Sequence, residues 1–326
     1  MAGVLNGFAV IVALVALGWV LARSDVLGPD ARLVINRLVF FVATPALLFD
    51  ALARTTLDAV FTGVFVVSAV SAVIIAVAYA VVARLWLRQG AADLVVGALS
   101  AGYVNSANLG IPIALYVLGD LGFVMPLLLF QVVVLQPVAI AVLERSTPAE
   151  GPGGTPGGGA AHGGADSGRG GARDALVQAI RNPIVVAALA GVLVAALPWT
   201  PPERLLEPVH LVGQISVPGA LLVFGMSLYG VKVLEAGTSP RREIALASAL
   251  KLIVHPLLAY ALGAWVFGMQ GAELLTVVVA AALPTAQNVL VVATRYGRGI
   301  LLARDSAVLT TLGALPVLLL VSTLLA

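Results

Sequence analysis

Long, uninterrupted runs of apolar residues cover most of the 326-residue chain, with short polar stretches between them. A helix needs about 20 residues to cross about 30 Å of hydrocarbon, because each residue adds about 1.5 Å along the axis. The strands of a membrane β-barrel would instead alternate apolar and polar residues. The pattern therefore predicts an all-α membrane protein with ten transmembrane helices, near residues 4–22, 33–53, 60–83, 94–118, 121–143, 175–197, 204–230, 243–267, 272–295 and 304–325.

The composition supports this interpretation. Hydrophobic residues make up 60% of the chain and charged residues 10%, against roughly 45–50% and 25% in soluble globular proteins. So few charges could not cover the surface of a soluble protein of this size. The net charge is +2, and no basic run occurs. The expected surroundings are therefore a lipid bilayer, and nucleic acid is not an expected partner.

One segment, residues 144–173, differs from the rest of the chain. Eleven of its thirty residues are glycine and three are proline. A segment of this kind cannot bury a core, so we predict a flexible, disordered linker. It divides the chain into a first five-helix repeat, 1–143, and a second one, 174–326.

Lys and Arg are distributed unevenly along the predicted bundle. Fifteen of the 18 fall at the linker and in the loops after predicted spans 1, 3, 5, 7 and 9, whereas only Arg54 and Arg204 fall on the other side. Cytoplasmic loops carry the excess of basic residues. We therefore predict a multi-pass protein of the cell (inner or cytoplasmic) membrane, with both termini outside and the linker in the cytoplasm.

Five spans in each half require the two halves to insert with opposite orientations. Two proline pairs recur at nearly the same separation: Pro45 with Pro218 at 173 residues, and Pro112 with Pro284 at 172 residues. This spacing favours two inverted repeats, a frequent architecture of secondary transporters.

Predicted spans 4 and 9 each combine a proline with amide and hydroxyl side chains. Proline removes a backbone donor and disrupts the preceding turn. Matched helix breaks in two halves point to a transporter's binding site, where free N–H groups would suit an anion. The alternative is that the prolines only kink their helices. The predicted binding residues are Asn105, Ser106, Asn108, Gly110, Pro112, Lys251, Pro284, Thr285, Gln287 and Asn288, and the predicted helix breaks are Pro45, Gly110, Pro112, Pro218 and Pro284.

Lys251 and His255 lie four residues apart in predicted span 8, so they share a helix face. Ionisable groups inside a membrane are functional candidates. Lys251 could hold a substrate carboxylate, or it could occupy a cation site as a fixed positive charge. Histidine is the side chain that can titrate near physiological pH, so His255, together with Lys251, is a candidate for coupling transport to protons. Among the other polar residues, Gln131, Gln136 and Gln214 could line a path or bridge helices.

Signatures of enzymes are missing from the sequence. It has no His-Glu-x-x-His pattern, no paired-aspartate motif and no Walker loop. Its three histidines are widely separated, so we expect neither a metal site nor a cofactor. The interpretation is not an enzyme but a carrier.

Several motifs, in this order and at these positions, resemble the auxin efflux carrier family. They are Pro45-Ala-Leu-Leu-Phe, Asn105-x4-Gly110-Ile-Pro112, Arg181-Asn182-Pro183, Pro218 with Phe224-Gly225, Lys251-Leu-Ile-Val-His-Pro256-Leu-Leu, and Leu283-Pro284-Thr285-Ala286. The resemblance implies two inverted five-helix repeats with broken, crossing helices 4 and 9, similar to bile acid–sodium symporters. It also implies an elevator-like mechanism and, often, a homodimer.

The chain departs from plant PIN-type members because predicted span 3 has no charged residue between Phe61 and Ala83. It is closer to bacterial permeases of the malonate or malate type. We therefore expect a secondary active transporter or facilitator of small organic anions, mono- or dicarboxylates. The alternatives are a sodium-coupled organic-anion symporter and a membrane receptor that uses the same pocket without transport.

Overall fold

The computed structural model describes residues 2–54, 63–118, 124–146, 183–197, 202–230, 233–235 and 237–325. Within these ranges all regular elements are helices, and no strand occurs. The first three residues of the predicted linker, 144–146, form the end of a helix. Its remaining residues, 147–173, lie outside the described residues. Arg181 and Asn182 of the resemblance motif also lie outside them.

The helices are numbered here in chain order. They are α1 Ala2–Ser24, α2 Ala31–Ala53, α3 Gly63–Leu85, α4 Ala91–Gly102, α5 106–118, α6 124–146, α7 Pro183–Ala196, α8 Glu203–Ser227, α9 Arg241–Val266, α10 Gly271–Ala282, α11 Gln287–Tyr296 and α12 Ile300–Leu325. Five of them, α2, α3, α8, α9 and α12, are long and apolar enough to cross a membrane. This confirms the predicted all-α membrane protein.

A repeated local feature accompanies four prolines that lie inside intact helices. Five-residue π-helical turns end two residues before Pro45, Pro112, Pro137 and Pro256. Proline lacks an N–H, and its ring clashes with the carbonyl four residues earlier. A wider π turn leaves room for that carbonyl.

The breaks predicted at Pro45, Gly110 and Pro112 are therefore wrong, because the helix continues through all three residues. At Pro218 the outcome is intermediate. A single turn residue, Ile215, precedes the α-helical segment that contains this proline.

Helices α1, α2, α7 and α8 pack closely together and are called the glycine-packed group here. A Cβ atom added at Gly225 of α8 would overlap the backbone carbonyl oxygen of Val15, and one at Gly18 of α1 would overlap that of Leu222. Glycine is therefore required for α1 and α8 to cross at this distance. Gly191 and Gly213 bring α7 and α8 similarly close to the backbone of α2.

Polar side chains join α2 to α8 at the end opposite to the basic loops. Asp50, which is 6% exposed, accepts hydrogen bonds from Arg54 at 2.9 Å and from His210 at 2.8 Å. Arg54 also pairs with Glu203 at 2.9 Å. The hydrogen bonds with Glu203 and Asp50 raise the pKa of Arg54 above its ordinary value. This cluster ties two helices of the glycine-packed group together.

Candidate functional site

The chain leaves helical conformation at two places inside the bundle. The first break, 103–105, separates α4 from α5, and the second, 283–286, separates α10 from α11. Tyr103, Leu283 and Ala286 have extended or polyproline-like backbone angles. Leu283 precedes Pro284, and a residue before proline is disfavoured in the α conformation. The predicted break at Pro284 is therefore present in the structure.

The two breaks lie side by side and pair with each other. Val104 and Thr285 form an isolated antiparallel bridge. The backbone N–H of Asn105 donates to the carbonyl of Pro284 at 2.8 Å, and that of Ala286 donates to the carbonyl of Tyr103 at 3.2 Å. Backbone groups released from the helices thus find partners inside the protein, as membrane depth requires. We call this paired region the crossover.

The pairing shows which positions of the two breaks correspond. A shift of 181 residues carries Val104 onto Thr285 and the donor Asn105 onto the donor Ala286. It also carries the acceptor Tyr103 onto the acceptor Pro284, so one shift relates the two sides of the pairing. The match predicted between Pro112 and Pro284 is therefore not the structural one, because Pro112 lies inside α5.

Thr285 anchors the crossover to the neighbouring helices. Its hydroxyl donates to the carbonyl of Ser100 in α4 at 2.6 Å, and its backbone N–H donates to Thr310 Oγ1 in α12 at 3.0 Å. Thr285 is 1% exposed. The predicted binding residue Thr285 is thus a buried bracing residue in this structure.

A cavity of about 100 Å³ lies beside the crossover. Its described lining includes the beginnings of α5 and α11 but no residue of α4 or α10, so the helix N-termini face it rather than the C-termini. No charged side chain occurs among the lining residues that the structure describes. The polar lining residues are Asn36, Thr44, Tyr103, Asn105, Ser106, Asn108, Gln131, Gln287 and Asn288.

Asn105 has the most distinctive environment in this lining. It caps the N-terminus of α5, since its Oδ1 accepts the backbone N–H of Asn108 at 3.2 Å. Its Nδ2 is buried and has no hydrogen-bond partner, and the residue is 3% exposed. Buried donors are nearly always paired, so an unpaired one beside a cavity calls for an explanation. A ligand oxygen would supply the missing acceptor.

Gln131 supports the same helix start from the side. Its Nε2 donates to Ser106 Oγ at 3.1 Å, and both residues are buried. Gln131 lies in the π turn of α6 and also lines the cavity. Gln131 therefore bridges α6 and α5 and also lines the cavity.

The N-terminus of α11 has no side-chain cap. The first N–H groups of a helix lack partners within the helix, so they are available to a ligand. Gln287 and Asn288 of this first turn line the cavity. Two helix N-termini and several amide side chains thus converge on one small space, which suits an anion.

The structure separates the predicted binding residues into four groups, and Lys251 in α9 is the fourth. Asn105, Ser106, Asn108, Gln287 and Asn288 come together in the cavity lining. Pro284 and Thr285 form the crossover backbone. Gly110 and Pro112 lie inside α5, where a Cβ at Gly110 would be 3.2 Å from the Leu283 side chain.

Lys251 and His255 lie outside the described lining of this cavity. Both are buried in α9, with exposures of 0% and 1%. Lys251 Nζ is 3.1 Å from His255 Nδ1, and His255 Nε2 is 3.2 Å from Ser71 Oγ in α3. Because Ser71 donates to the carbonyl of Ser68, its oxygen accepts from His255 Nε2–H. Nδ1 then accepts from Lys251.

Three polar lining residues, Asn36, Thr44 and Tyr103, were not predicted from the sequence. Each is a polar side chain in or next to an apolar run, which is the signal that could have identified it. Thr44 also pairs with Ser216 Oγ at 2.8 Å between α2 and α8. Only the fold shows that these positions of α2 and of the first break face the crossover.

The cavity opens towards the end of the bundle that carries the basic loops. Asn36 and Asn288 of the lining are exposed, and Val291 is 66% exposed. Asn36 lies next to Arg37, and Arg32 lies one turn earlier on α2. Anions approaching this mouth therefore meet positive charge first.

Comparisons with known proteins place the chain among transporters. A family model described as "Membrane transport protein" matches residues 4–147 and 172–322, which include both breaks. The chain is also 26% identical over 287 residues to a Rhizobium meliloti (strain 1021) protein described as "Putative malonate transporter", covering 87% of this chain and 84% of that protein. Both descriptions are of transporters rather than enzymes, as the sequence predicted.

Proposed function

Because the chain belongs to the membrane transport protein family, as its resemblance to auxin efflux carriers predicted, we propose that it carries small organic anions across the cytoplasmic membrane. The observation that carries this proposal is the uncharged polar cavity at the crossover, with the unpartnered Nδ2 of Asn105 beside it. The carrier acts as a secondary active transporter or facilitator of mono- or dicarboxylates.

The cavity recognises a carboxylate with neutral donors. The N-termini of α5 and α11, together with the amides of Asn105, Asn108 and Asn288, supply N–H groups around one space. Hydrogen bonds to an ionised acceptor are stronger than those between neutral groups. A carboxylate therefore binds without a charged partner in the lining.

The size of the cavity favours a short substrate. About 100 Å³ is below the roughly 300–1,000 Å³ of sites for drug-sized ligands. A short dicarboxylate or monocarboxylate matches this space better than an indole acid or a bile acid does. The relative described as a malonate transporter supports the same class of substrate.

Transport follows an elevator-like mechanism between two inverted repeats. The exchange of the two sides of the crossover under a 181-residue shift supports the inverted repeats. The glycine-packed group acts as the scaffold, and the helices around the crossover form the moving part. In support of this division, the cavity is lined from both sides, by Asn36 and Thr44 of the scaffold and by the two breaks. By the distribution of Lys and Arg, the cavity mouth faces the cytoplasm and both termini are outside.

Lys251 and His255 are proposed as the coupling pair. They form one buried hydrogen-bonded chain with Ser71 that joins α9 to α3. Lys251 has no carboxylate within ion-pairing distance among the described residues. In this proposal Lys251, when it is protonated, takes the place of a bound cation, and His255 is the group that exchanges a proton.

The test is uptake of radiolabelled malonate into proteoliposomes, with sodium or potassium outside and at two pH values. We expect uptake without sodium, a loss of most uptake in Asn105→Ala, and unchanged uptake in Gln214→Ala, which lies in α8 outside the cavity lining. Strict sodium dependence would favour the symporter alternative. Binding of malonate without any flux would favour the receptor alternative and contradict the carrier.

A further inference from the structure

We propose that the crossover cavity accepts only singly charged anions, so that a dicarboxylate enters it as the monoanion with one carboxyl group protonated. This inference rests on the proposed function and specifies which protonation state of the substrate is transported. This proton travels on the substrate itself and is distinct from any proton that His255 exchanges.

The charge of the cavity lining decides which anions the cavity accepts. Among its described lining residues there is no Lys, Arg, His, Asp or Glu. The positive potential comes from two helix N-termini, and each is equivalent to roughly half an elementary charge. Together they balance about one negative charge. An uncompensated second charge in a site of low dielectric would be strongly unfavourable.

The cavity lining contains both hydrogen-bond donors and hydrogen-bond acceptors. The lining amides offer carbonyl oxygens as well as N–H groups, for example at Asn108, Gln287 and Asn288. A protonated carboxyl group is a donor and can use such an oxygen. The other, ionised carboxylate takes the N–H of Asn105, which is 97% buried, since its exposure is 3%, and has no partner. Each half of a monoprotonated dicarboxylate thus has a matching partner.

Titratable and charged side chains around the cavity do not supply a second positive charge to its lining. Tyr103 is the titratable side chain of the described lining, and Arg32 and Arg37 lie near the mouth on α2. Lys251 and His255 are directed to each other and to Ser71 in α9 and α3. None of these places a positive charge in the lining, where it would hold the second carboxylate.

The experiment compares malonate with its monomethyl ester, using the purified full-length protein and isothermal titration calorimetry from pH 5 to pH 8. The monoester is a fixed monoanion over this range, so any change in its Kd reports titration of the protein. We expect its Kd to change less than about twofold. Above the second pKa of malonic acid, the apparent Kd of malonate should rise about tenfold per pH unit, because the binding species is depleted at that rate.

A gain-of-function variant makes the test sharper. Asn288 is exposed at the cavity mouth, so Asn288→Lys adds a cation that can hold the second carboxylate. Asn288→Gln is the matched neutral control. We expect the lysine variant to bind malonate with a Kd that hardly depends on pH, while the glutamine variant keeps the steep dependence.

Three outcomes would contradict the inference. If wild-type malonate affinity is independent of pH while the monoester also binds, the dianion is accepted and the inference is wrong although the carrier proposal stands. The same holds if the monoester fails to bind and malonate binds at pH 8. If neither ligand binds at any pH, and radiolabelled acetate and malonate show no uptake, the proposed function itself fails.

Discussion

Backbones approach each other closely in two regions of the molecule, but different groups meet there. Where α1 crosses α8, Gly18 and Gly225 bring two intact helices into contact. At the crossover, the chain leaves the helix, and Asn105 and Ala286 donate backbone hydrogen bonds across the contact. The first contact joins helices whose own hydrogen bonds are complete. The second replaces helical hydrogen bonds by bonds between distant parts of the chain.

This difference predicts how each region responds to substitution. In the glycine-packed group, the added volume of a single methyl group is the sensitive variable, because dense interiors have no room to relax. At the crossover, hydrogen-bonding chemistry is the sensitive variable, because a buried polar group without a partner is costly. In the proposed carrier, the glycine-packed group is therefore the rigid frame, and the crossover is the region that binds the ligand.

The largest effect on stability is expected at the helix crossing. Gly225→Ala places a methyl group against the carbonyl oxygen of Val15. Overpacking of side chains costs about 1–3 kcal/mol, and a backbone carbonyl cannot move aside as a side chain can, so we expect at least about 3 kcal/mol. The midpoint of thermal unfolding in detergent measures the loss.

Gly90→Ala is the matched control for this substitution. Gly90 has no atom within 4 Å of an added Cβ, and its φ is −70°. We expect a change of only a few tenths of a kcal/mol there, since Ala is a slightly poorer N-cap than Gly. Equal midpoints for the two variants would show that the close crossing of α1 and α8 is not required.

The next largest effect concerns ligand binding at the crossover. Asn105→Ala removes the unpartnered Nδ2, and a hydrogen bond to a charged group contributes about 1.5–3 kcal/mol, so malonate should bind about 10- to 100-fold more weakly. Calorimetric Kd values measure this loss. Asn105→Ser separates the two roles of the residue, because serine still caps α5 but lacks the amide donor. A serine variant with normal affinity would contradict the role of Nδ2.

A smaller effect is expected where Thr285 braces the crossover. Thr285→Val removes the donor to the carbonyl of Ser100 and leaves that buried oxygen unpaired, which costs about 1–2 kcal/mol. Uptake should fall and the unfolding midpoint should drop. Thr285→Ser keeps the hydroxyl and should behave like the wild type in both measurements. If valine and serine were equivalent, the hydroxyl would have no bracing role.

The smallest effect is expected at the polar cluster between α2 and α8. The Arg54 side chain is 42% exposed, and it pairs with Glu203, which is also exposed. Exposed ion pairs contribute about 0–1 kcal/mol and are screened by salt. Arg54→Gln should therefore lower the unfolding midpoint slightly at low salt and hardly at all at high salt. A large, salt-independent loss would show that Asp50 depends on Arg54 for its burial.

The sequence alone determined the class of the molecule and identified five of the polar residues that line the crossover cavity. Hydropathy is a local property, so the apolar runs and the proline break at Pro284 could be located without any fold. Asn105, Ser106, Asn108, Gln287 and Asn288 were identified because amides and hydroxyls are rare in such runs. Family membership was predicted from motifs on both sides of the Gly-rich segment. The family model matches both of these parts and confirms the prediction.

Tertiary structure alone decided what each proline does and which polar groups share a space. Pro112 and Pro284 look alike in sequence, yet a π turn keeps the first inside α5, whereas the second lies in a break. The break survives because Asn105 and Tyr103, about 180 residues away, pair with its backbone. The same long-range packing places Gln131 at the cavity and His255 against Ser71, and no local pattern encodes such contacts.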